Sequence, residues 1–183
     1  MATVDHAVPF LGVVLARRIT HHNLPQVFLK ARDALMSHFR PILNHFGVTE
    51  QQWRILRVLD EHGQLEPRVM CELCQILSPS MTGVLSRMED LGLIERERVV
   101  SDQRRVLVRL AAKGDRLIDE IAPLIERQYV LIEQAYGKQL VDDLATAMDG
   151  FIRAQEKPVQ RVELPANALV VTSRRPPPPV DED

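Results

Sequence analysis

The stretch SPSMTGVLSRMEDLGLIERERVVSDQRRVLVRL, residues 78–110, contains two different hydrophobic periodicities. Its first part has apolar residues at three- and four-residue spacing, which predicts an amphipathic helix that Gly92 ends. Ser78 is the predicted N-cap, and Pro79 suits the first helical position. Alternating apolar residues then predict two strands, 94–99 and 105–110, joined by a polar tip at 100–104.

The helix face opposite the apolar stripe consists mainly of small or hydroxylated residues. A helix face that only meets solvent more often carries Lys and Glu, whereas small side chains let a backbone approach phosphates or base edges. Taken alone, the pattern also fits an ordinary amphipathic core helix. The residues on this side that are candidates for DNA contact are Pro79, Ser80, Thr82, Gly83, Ser86 and Arg87.

The tip of the predicted hairpin is the sharper signal for a nucleic-acid contact. The tip and the strand residue that follows it include Asp102, Gln103, Arg104 and Arg105. An arginine on a stiff hairpin can enter a narrow minor groove, where the negative potential is enhanced. Asp102 would repel phosphate, so we expect it to pair with an arginine and hold the tip in shape. A solvated turn is the alternative, but a hairpin at this spacing after this helix favours a recognition helix followed by a wing.

The segment DQRRVLVRLAAKG, residues 102–114, resembles the wing signature of the MarR/SlyA family of winged-helix regulators. The resemblance extends over residues 24–155 and implies a homodimer, a DNA-binding lobe on each subunit and a small aromatic ligand that releases DNA. It also implies that Arg104 is the minor-groove arginine, that Asp102 braces it, and that Arg105 lies near phosphate. Ala111 departs from the family pattern, which usually has a Thr that caps the next helix.

The remaining pattern predicts a mainly α chain with a small β wing, in which two such winged helix-turn-helix subunits intertwine. A first helix spans 24–46, and Pro41 is expected to kink it or split off its last turn. Thr49 and Gln52 form a predicted capping box for the second helix. A short strand at 64–65 and a helix at 67–77 follow, and after the wing come helices at 112–136 and 138–155.

Domain organisation follows from these elements and from the family resemblance. Residues 1–20 are expected to be a flexible arm, and 48–111 a winged helix-turn-helix DNA-binding lobe. Residues 21–47 and 112–155 have broad apolar stripes and are the expected dimerisation region. Beyond residue 156 the periodicity ends, and the proline-rich segment 156–183 is expected to be a disordered tail.

Composition limits the classes of protein that the chain can represent. With 183 residues, 45% of them hydrophobic, the chain can form one domain with a substantial core. A net charge of −2 disfavours a non-specific DNA-binding protein but allows a sequence-specific one. The apolar run at 8–16 is too short to span a membrane and lacks a basic region before it, so we expect neither export nor membrane anchoring. We therefore expect a cytoplasmic protein.

The sequence contains no recognisable motif of an enzyme active site or of a metal site. There is no nucleophile elbow, phosphate-binding glycine loop or paired histidine motif, so we expect neither catalysis nor a cofactor. Cys71 and Cys74 lie among apolar residues, which favours burial over zinc binding. Two alternatives stay open: a redox switch that uses these two cysteines, and a winged-helix module that binds protein instead of DNA.

A closer resemblance concerns the regulators of homoprotocatechuate (hydroxyphenylacetate) degradation operons. It rests on residues 39–63, 71–110 and 122–129. This resemblance implies a repressor of an aromatic catabolic operon, a near-palindromic operator, and release by a hydroxylated phenylacetate. The candidate ligand contacts are His38 for the hydroxyl group and Arg54 for the carboxylate, with Trp53 and Phe39 as walls.

Overall fold

The computed structural model describes residues 19–99 and 102–166. The predicted arm and tail therefore lie largely outside the described residues. Within the described ranges the fold is mainly helical with one small sheet, as the sequence predicts. Its elements are α1 Leu24–Ser37, α2 Arg40–His45, α3 Glu50–His62, β1 Gln64–Leu65, α4 Pro67–Cys74, α5 Ser78–Asp90, β2 Ile94–Val99, β3 Asp102–Leu110, α6 Ala112–Tyr136 and α7 Lys138–Ala154.

Pro41 divides the first predicted helix into two. α1 ends at Ser37, and α2 begins at Arg40 with Pro41 in its first turn. Proline lacks the N–H that a continuous helix would use, and its ring clashes with the preceding turn. The expected splitting is therefore confirmed.

The start of α3 is fixed by local hydrogen bonds. The Thr49 hydroxyl oxygen accepts a hydrogen bond from the backbone N–H of Gln52 at 3.2 Å. The side-chain oxygen of Gln52 accepts one from the backbone N–H of Thr49 at 2.9 Å. This is the predicted capping box. Val48 precedes the N-cap and Trp53 is the fourth residue of the helix, and both side chains are buried.

Helices α4 and α5 form the helix-turn-helix pair, and both ends of the connection differ from the prediction. α4 ends at Cys74 instead of residue 77, because Gln75 adopts a left-handed conformation with φ 50°. α5 includes Ser78, so the N-cap is Leu77 and not Ser78. Leu77 has an extended backbone, and its carbonyl accepts the first helical hydrogen bond, from Met81 N–H at 2.9 Å.

A three-stranded antiparallel sheet of order β1-β3-β2 follows α5. Gly92, with φ 70°, allows the chain to leave α5, and the N–H groups of Gly92 and Leu93 donate back to Glu89 and Met88. β2 and β3 pair from Ile94↔Leu110 to Arg98↔Val106, and the register shifts between Arg98 and Val99. β3 is three residues longer than predicted, beginning at Asp102, so Asp102 to Arg104 belong to the strand.

The chain divides into two compact units, residues 1–135 and 136–183. The core of the first unit joins the helix-turn-helix pair to α3 and to the sheet. Its fully buried side chains include Ile55, Leu56, Leu59, Met70, Met81, Leu85, Met88, Ile94 and Val108. In the second unit, α7 has no buried residue. None of the described helices is long and apolar enough to cross a membrane.

Candidate nucleic-acid interface

Helix α5 separates its two faces as the sequence predicts. Met81, Val84, Leu85 and Met88 are buried against the rest of the unit. This burial fixes the rotation of the helix about its axis and leaves the opposite face outside. Gly83 is half-buried, and the other candidate contact residues on α5 are exposed: Pro79, Ser80, Thr82, Ser86 and Arg87.

The outer face of α5 is shallow because its side chains are short. The Thr82 hydroxyl donates to the Ser78 carbonyl at 3.2 Å, which ties it to the helix backbone. A Cβ built on Gly83 would lie 3.9 Å from a guanidinium nitrogen of Arg87, so that cation sits close over the glycine. The face thus combines an accessible backbone with one cation, which is the chemistry that a phosphate or a guanine edge requires.

Asp102 holds the wing through the backbone and not through an arginine side chain. Its Oδ1 accepts from the Arg104 backbone N–H at 3.1 Å. Our expectation of an Asp102–arginine ion pair is therefore wrong among the described residues, although the local bracing is present. The Gln103 side chain and residues 100–101 lie outside what is described.

The two wing arginines have different surroundings. Arg104 is exposed, and its guanidinium has no partner within the described part of the chain. Arg105 donates from Nε to the Glu66 carboxylate at 2.8 Å and from Nη2 to the same oxygen. Glu66 is the N-cap residue of α4 and lies 39 positions earlier in the chain. Sequence reasoning missed Glu66, because no local pattern connects residues this far apart.

The predicted ligand residues lie in several different environments. Phe39 is buried, and its ring meets that of Tyr129 at a centroid distance of 4.8 Å. Trp53 is only 8% exposed, and His38 is half-buried. Three surface cavities of about 580, 280 and 320 Å³ have other residues as walls. None of these three cavities therefore brings the predicted ligand residues together, and Phe39 packs against Tyr129 instead.

Arg54 has a structural partner that the sequence did not suggest. Its Nη1 donates to the Cys74 carbonyl at 2.6 Å and to the Gln75 carbonyl at 3.4 Å. These carbonyls belong to the C-terminal end of α4, where a cation satisfies unpaired acceptors and opposes the negative end of the helix dipole. One nitrogen of the guanidinium that was expected to meet a ligand carboxylate, Nη1, is thus bound to the α4 terminus, whereas its buried Nε has no hydrogen-bond partner among the described residues.

Glu50 connects α3 to both preceding helices. Its carboxylate accepts from Arg40 Nε at 2.8 Å and from Arg32 of α1. Arg40 also pairs with Asp33. The hydrogen bond from Arg40, followed by that from Arg32, holds the pKa of Glu50 below its ordinary value. Glu50 therefore stays ionised at neutral pH, and its ion pairs link the α1–α2 segment to the start of α3.

The surroundings of Cys71 and Cys74 are typical of buried structural cysteines and less so of a redox switch. Cys74 is 2% exposed and Cys71 is half-buried. Burial raises the pKa of the Cys74 thiol, which opposes formation of the thiolate that redox chemistry needs. Within residues 19–99 and 102–166, no three His, Cys, Asp or Glu side chains are grouped to hold a metal ion.

A helix-turn-helix pair, a two-stranded wing packed beside it and an exposed arginine at the wing define the winged-helix class of DNA-binding folds. A model of the MarR family matches residues 46–105. The chain is 41% identical over 119 residues to the HTH-type transcriptional regulator FarR of Neisseria gonorrhoeae. This aligned region covers 65% of this chain and 82% of that protein. It is 37% identical over 132 residues to the homoprotocatechuate degradative operon repressor of Escherichia coli, covering 72% and 89%.

A solved structure supports the same assignment. The crystal structure of NadR in complex with 4-hydroxyphenylacetate superposes with a TM-score of 0.67 at 35% identity, over 73% of this chain and 97% of that chain. The chain belongs to the MarR family, as its wing segment indicated, and it is a transcriptional regulator of the winged-helix type.

Proposed function

We propose that the protein represses an operon for the breakdown of an aromatic compound and is released from DNA by a hydroxyphenylacetate-class ligand. The observation that carries DNA binding is the exposed, shallow face of α5 beside a wing with an unpaired Arg104. The catabolic role rests on similarity to the homoprotocatechuate operon repressor, and the ligand class on similarity to NadR with 4-hydroxyphenylacetate. A regulator of this kind acts on DNA in the cytoplasm.

The active form in this proposal is a homodimer. α1 has no buried residue, and its side chains of Leu24, Val27 and Leu29 are 48–62% exposed. In the separate second unit, Leu140 and Phe151 of α7 are also about 60% exposed. Apolar helix faces of this extent are typical of surfaces that a second subunit covers. This supports 21–47 and 112–155 as the dimerisation region and 48–111 as the DNA-binding lobe.

The dimer would place two α5 helices in successive major grooves of a near-palindromic operator. Half-sites on one face of the duplex would lie ~34–36 Å apart. Ser80, Thr82, Ser86 and Arg87 would contact bases and phosphates, and Arg104 would enter the flanking minor groove. A ligand that prefers another spacing of the lobes would release DNA, and such coupling is typically worth ~1–3 kcal/mol.

The contact for the ligand carboxylate moves from Arg54 to Arg57 in this proposal. Both arginines lie on α3, but Arg54 is bound to the α4 terminus, whereas Arg57 is exposed and has no ion-pair partner in the described ranges. Arg57 follows Trp53 by four residues and so lies on the same helix face. Trp53, Phe39 and His38 keep their proposed roles as walls and hydroxyl partner.

Replacing Arg54 and Arg57 by alanine, one at a time, should separate a role in stability from a role in ligand binding. Arg54→Ala should lower the free energy of unfolding by ~2 kcal/mol, because carbonyls at the α4 terminus lose a charged donor. Arg57→Ala should change it by less than about 0.5 kcal/mol, as expected for an exposed side chain. It should nevertheless raise the 4-hydroxyphenylacetate concentration that releases DNA roughly tenfold. Denaturant unfolding and DNA-release titrations measure the two effects, and a stable Arg54→Ala protein with impaired release would reverse the assignment.

Glu66 and Arg105 provide a second test, which concerns the wing. We expect Arg105→Gln to leave the salt dependence of DNA binding unchanged, because Glu66 already neutralises this cation. Glu66→Gln should free the guanidinium for phosphate, tighten binding and steepen the slope of log Kobs against log salt by ~0.9 per subunit. A loss of ~0.9 per subunit in Arg105→Gln would instead show that Arg105 contacts phosphate in the complex, as the family resemblance implied.

The experiment that tests the proposed function is a titration of the protein onto DNA from its own upstream region. It is run at stated salt, with and without 4-hydroxyphenylacetate. Specific binding that the ligand abolishes is the expected result. Binding that ignores the ligand but is lost with peroxide would favour the cysteine switch. The absence of specific binding would favour the protein-interaction module.

A further inference from the structure

Leu77 is the most exposed large apolar residue among the described residues of the DNA-binding lobe. It lies between α4 and α5 and is 79% exposed, compared with 46% for Leu73 and 40% for Val69 on α4. The adjacent Ile76 is 5% exposed and anchors the turn to the core. Packing of the turn is therefore already provided by Ile76 and does not require an apolar side chain at position 77.

The capping role of Leu77 makes its identity more unusual. It occupies the N-cap of α5, and no side chain caps this terminus. Ser, Thr, Asp and Asn are preferred at such positions because their oxygens accept from the free N–H groups of the first turn. A leucine here forgoes that hydrogen bond and also exposes an apolar surface to water. Both costs would be offset if the side chain were covered in the complex with DNA.

The position of Leu77 indicates what would cover it. It directly precedes Ser78, Pro79 and Ser80, which are small and exposed and leave the start of α5 accessible. In helix-turn-helix proteins the N-terminal residues of the recognition helix meet base edges in the major groove. The 5-methyl group of thymine is the apolar group presented there, and it distinguishes thymine from cytosine.

We propose that Leu77 is a specificity residue that contacts a thymine methyl group in each half-site of the operator. This inference rests on the proposed DNA-binding function. The contact would favour thymine over cytosine at one position by burying the methyl group against the leucine side chain. Because the recognition is apolar, deoxyuridine, which pairs as thymine does but lacks the methyl, should be a poorer base at that position.

The test combines a protein substitution with removal of single methyl groups from the DNA. The probe is the shortest upstream duplex that the wild-type protein binds, with each thymine replaced in turn by deoxyuridine. For wild type, one position in each half-site should lose roughly three- to fivefold in affinity per methyl group. In Leu77→Ser that loss should disappear, while binding to the unmodified duplex is itself weaker. Leu73→Ala removes another exposed leucine and should keep the wild-type methyl profile.

Folding is checked by thermal unfolding, where Leu77→Ser should be at least as stable as wild type because serine supplies the missing cap. A deoxyuridine profile that is the same in wild type and Leu77→Ser would overturn the inference and leave the DNA-binding function standing. A serine variant that binds every duplex more weakly by one common factor would also overturn it. Failure of the wild type to bind any upstream duplex would instead remove the proposed function on which the inference depends.

Discussion

Gly114→Ala should destabilise the protein by ~3 kcal/mol, the upper part of the range for inserting a carbon into a packed site. A Cβ on Gly114 would lie 2.1 Å from the Leu93 carbonyl oxygen and 3.1 Å from its carbon. Both atoms belong to the backbone, so the clash cannot be relieved by rotating a side chain. The same carbonyl accepts from the Ala111 N–H at 3.1 Å, which holds the start of α6 against the α5–β2 turn.

Denaturant unfolding at a fixed protein concentration measures this effect, since the apparent stability of the proposed dimer would depend on concentration. Gly150→Ala is the matched control. Gly150 lies inside α7, and a Cβ there meets nothing within 4 Å. Alanine should therefore stabilise that helix by about 0.5–1 kcal/mol. A Gly114→Ala protein as stable as wild type would show that α6 can move away from Leu93 without cost.

Arg104→Ala should reduce affinity for the operator at least tenfold and leave the fold intact. The Arg104 side chain is exposed and makes no ion pair in the described part of the molecule, so its removal breaks no ion pair there. Its backbone N–H, which Asp102 holds, stays in place in the variant. Loss of one well-placed DNA contact typically costs ~1–3 kcal/mol, and the proposed dimer would carry two copies of the wing.

A matched control distinguishes a local contact from the effect of net charge. Arg127 is an exposed arginine on α6, and Arg127→Ala removes the same charge from each subunit. Binding to the upstream duplex is measured for both variants at two salt concentrations, with circular dichroism to confirm folding. Equal losses of affinity in the two variants would mean that Arg104 acts only through the overall charge and does not enter a groove.

The sequence by itself determined the order and type of the elements, because these depend on contacts between neighbouring residues. The stripe from Met81 to Met88 marks the buried face of α5, and the alternation from Val106 to Leu110 includes Val108, which is fully buried. The Thr49–Gln52 capping box and the break at Pro41 are likewise local, and all were predicted correctly.

The tertiary structure decided which polar side chains remain available for function. Nothing in the sequence indicates that Arg54 and Arg105 have partners inside the protein. The folded structure places Arg54 at the α4 terminus and Arg105 beside Glu66. Gly114 matched a family motif, yet the reason for a glycine there is the Leu93 carbonyl 21 residues earlier. Ion pairs and backbone contacts between distant segments depend on how the elements pack, and no periodicity in the chain records them.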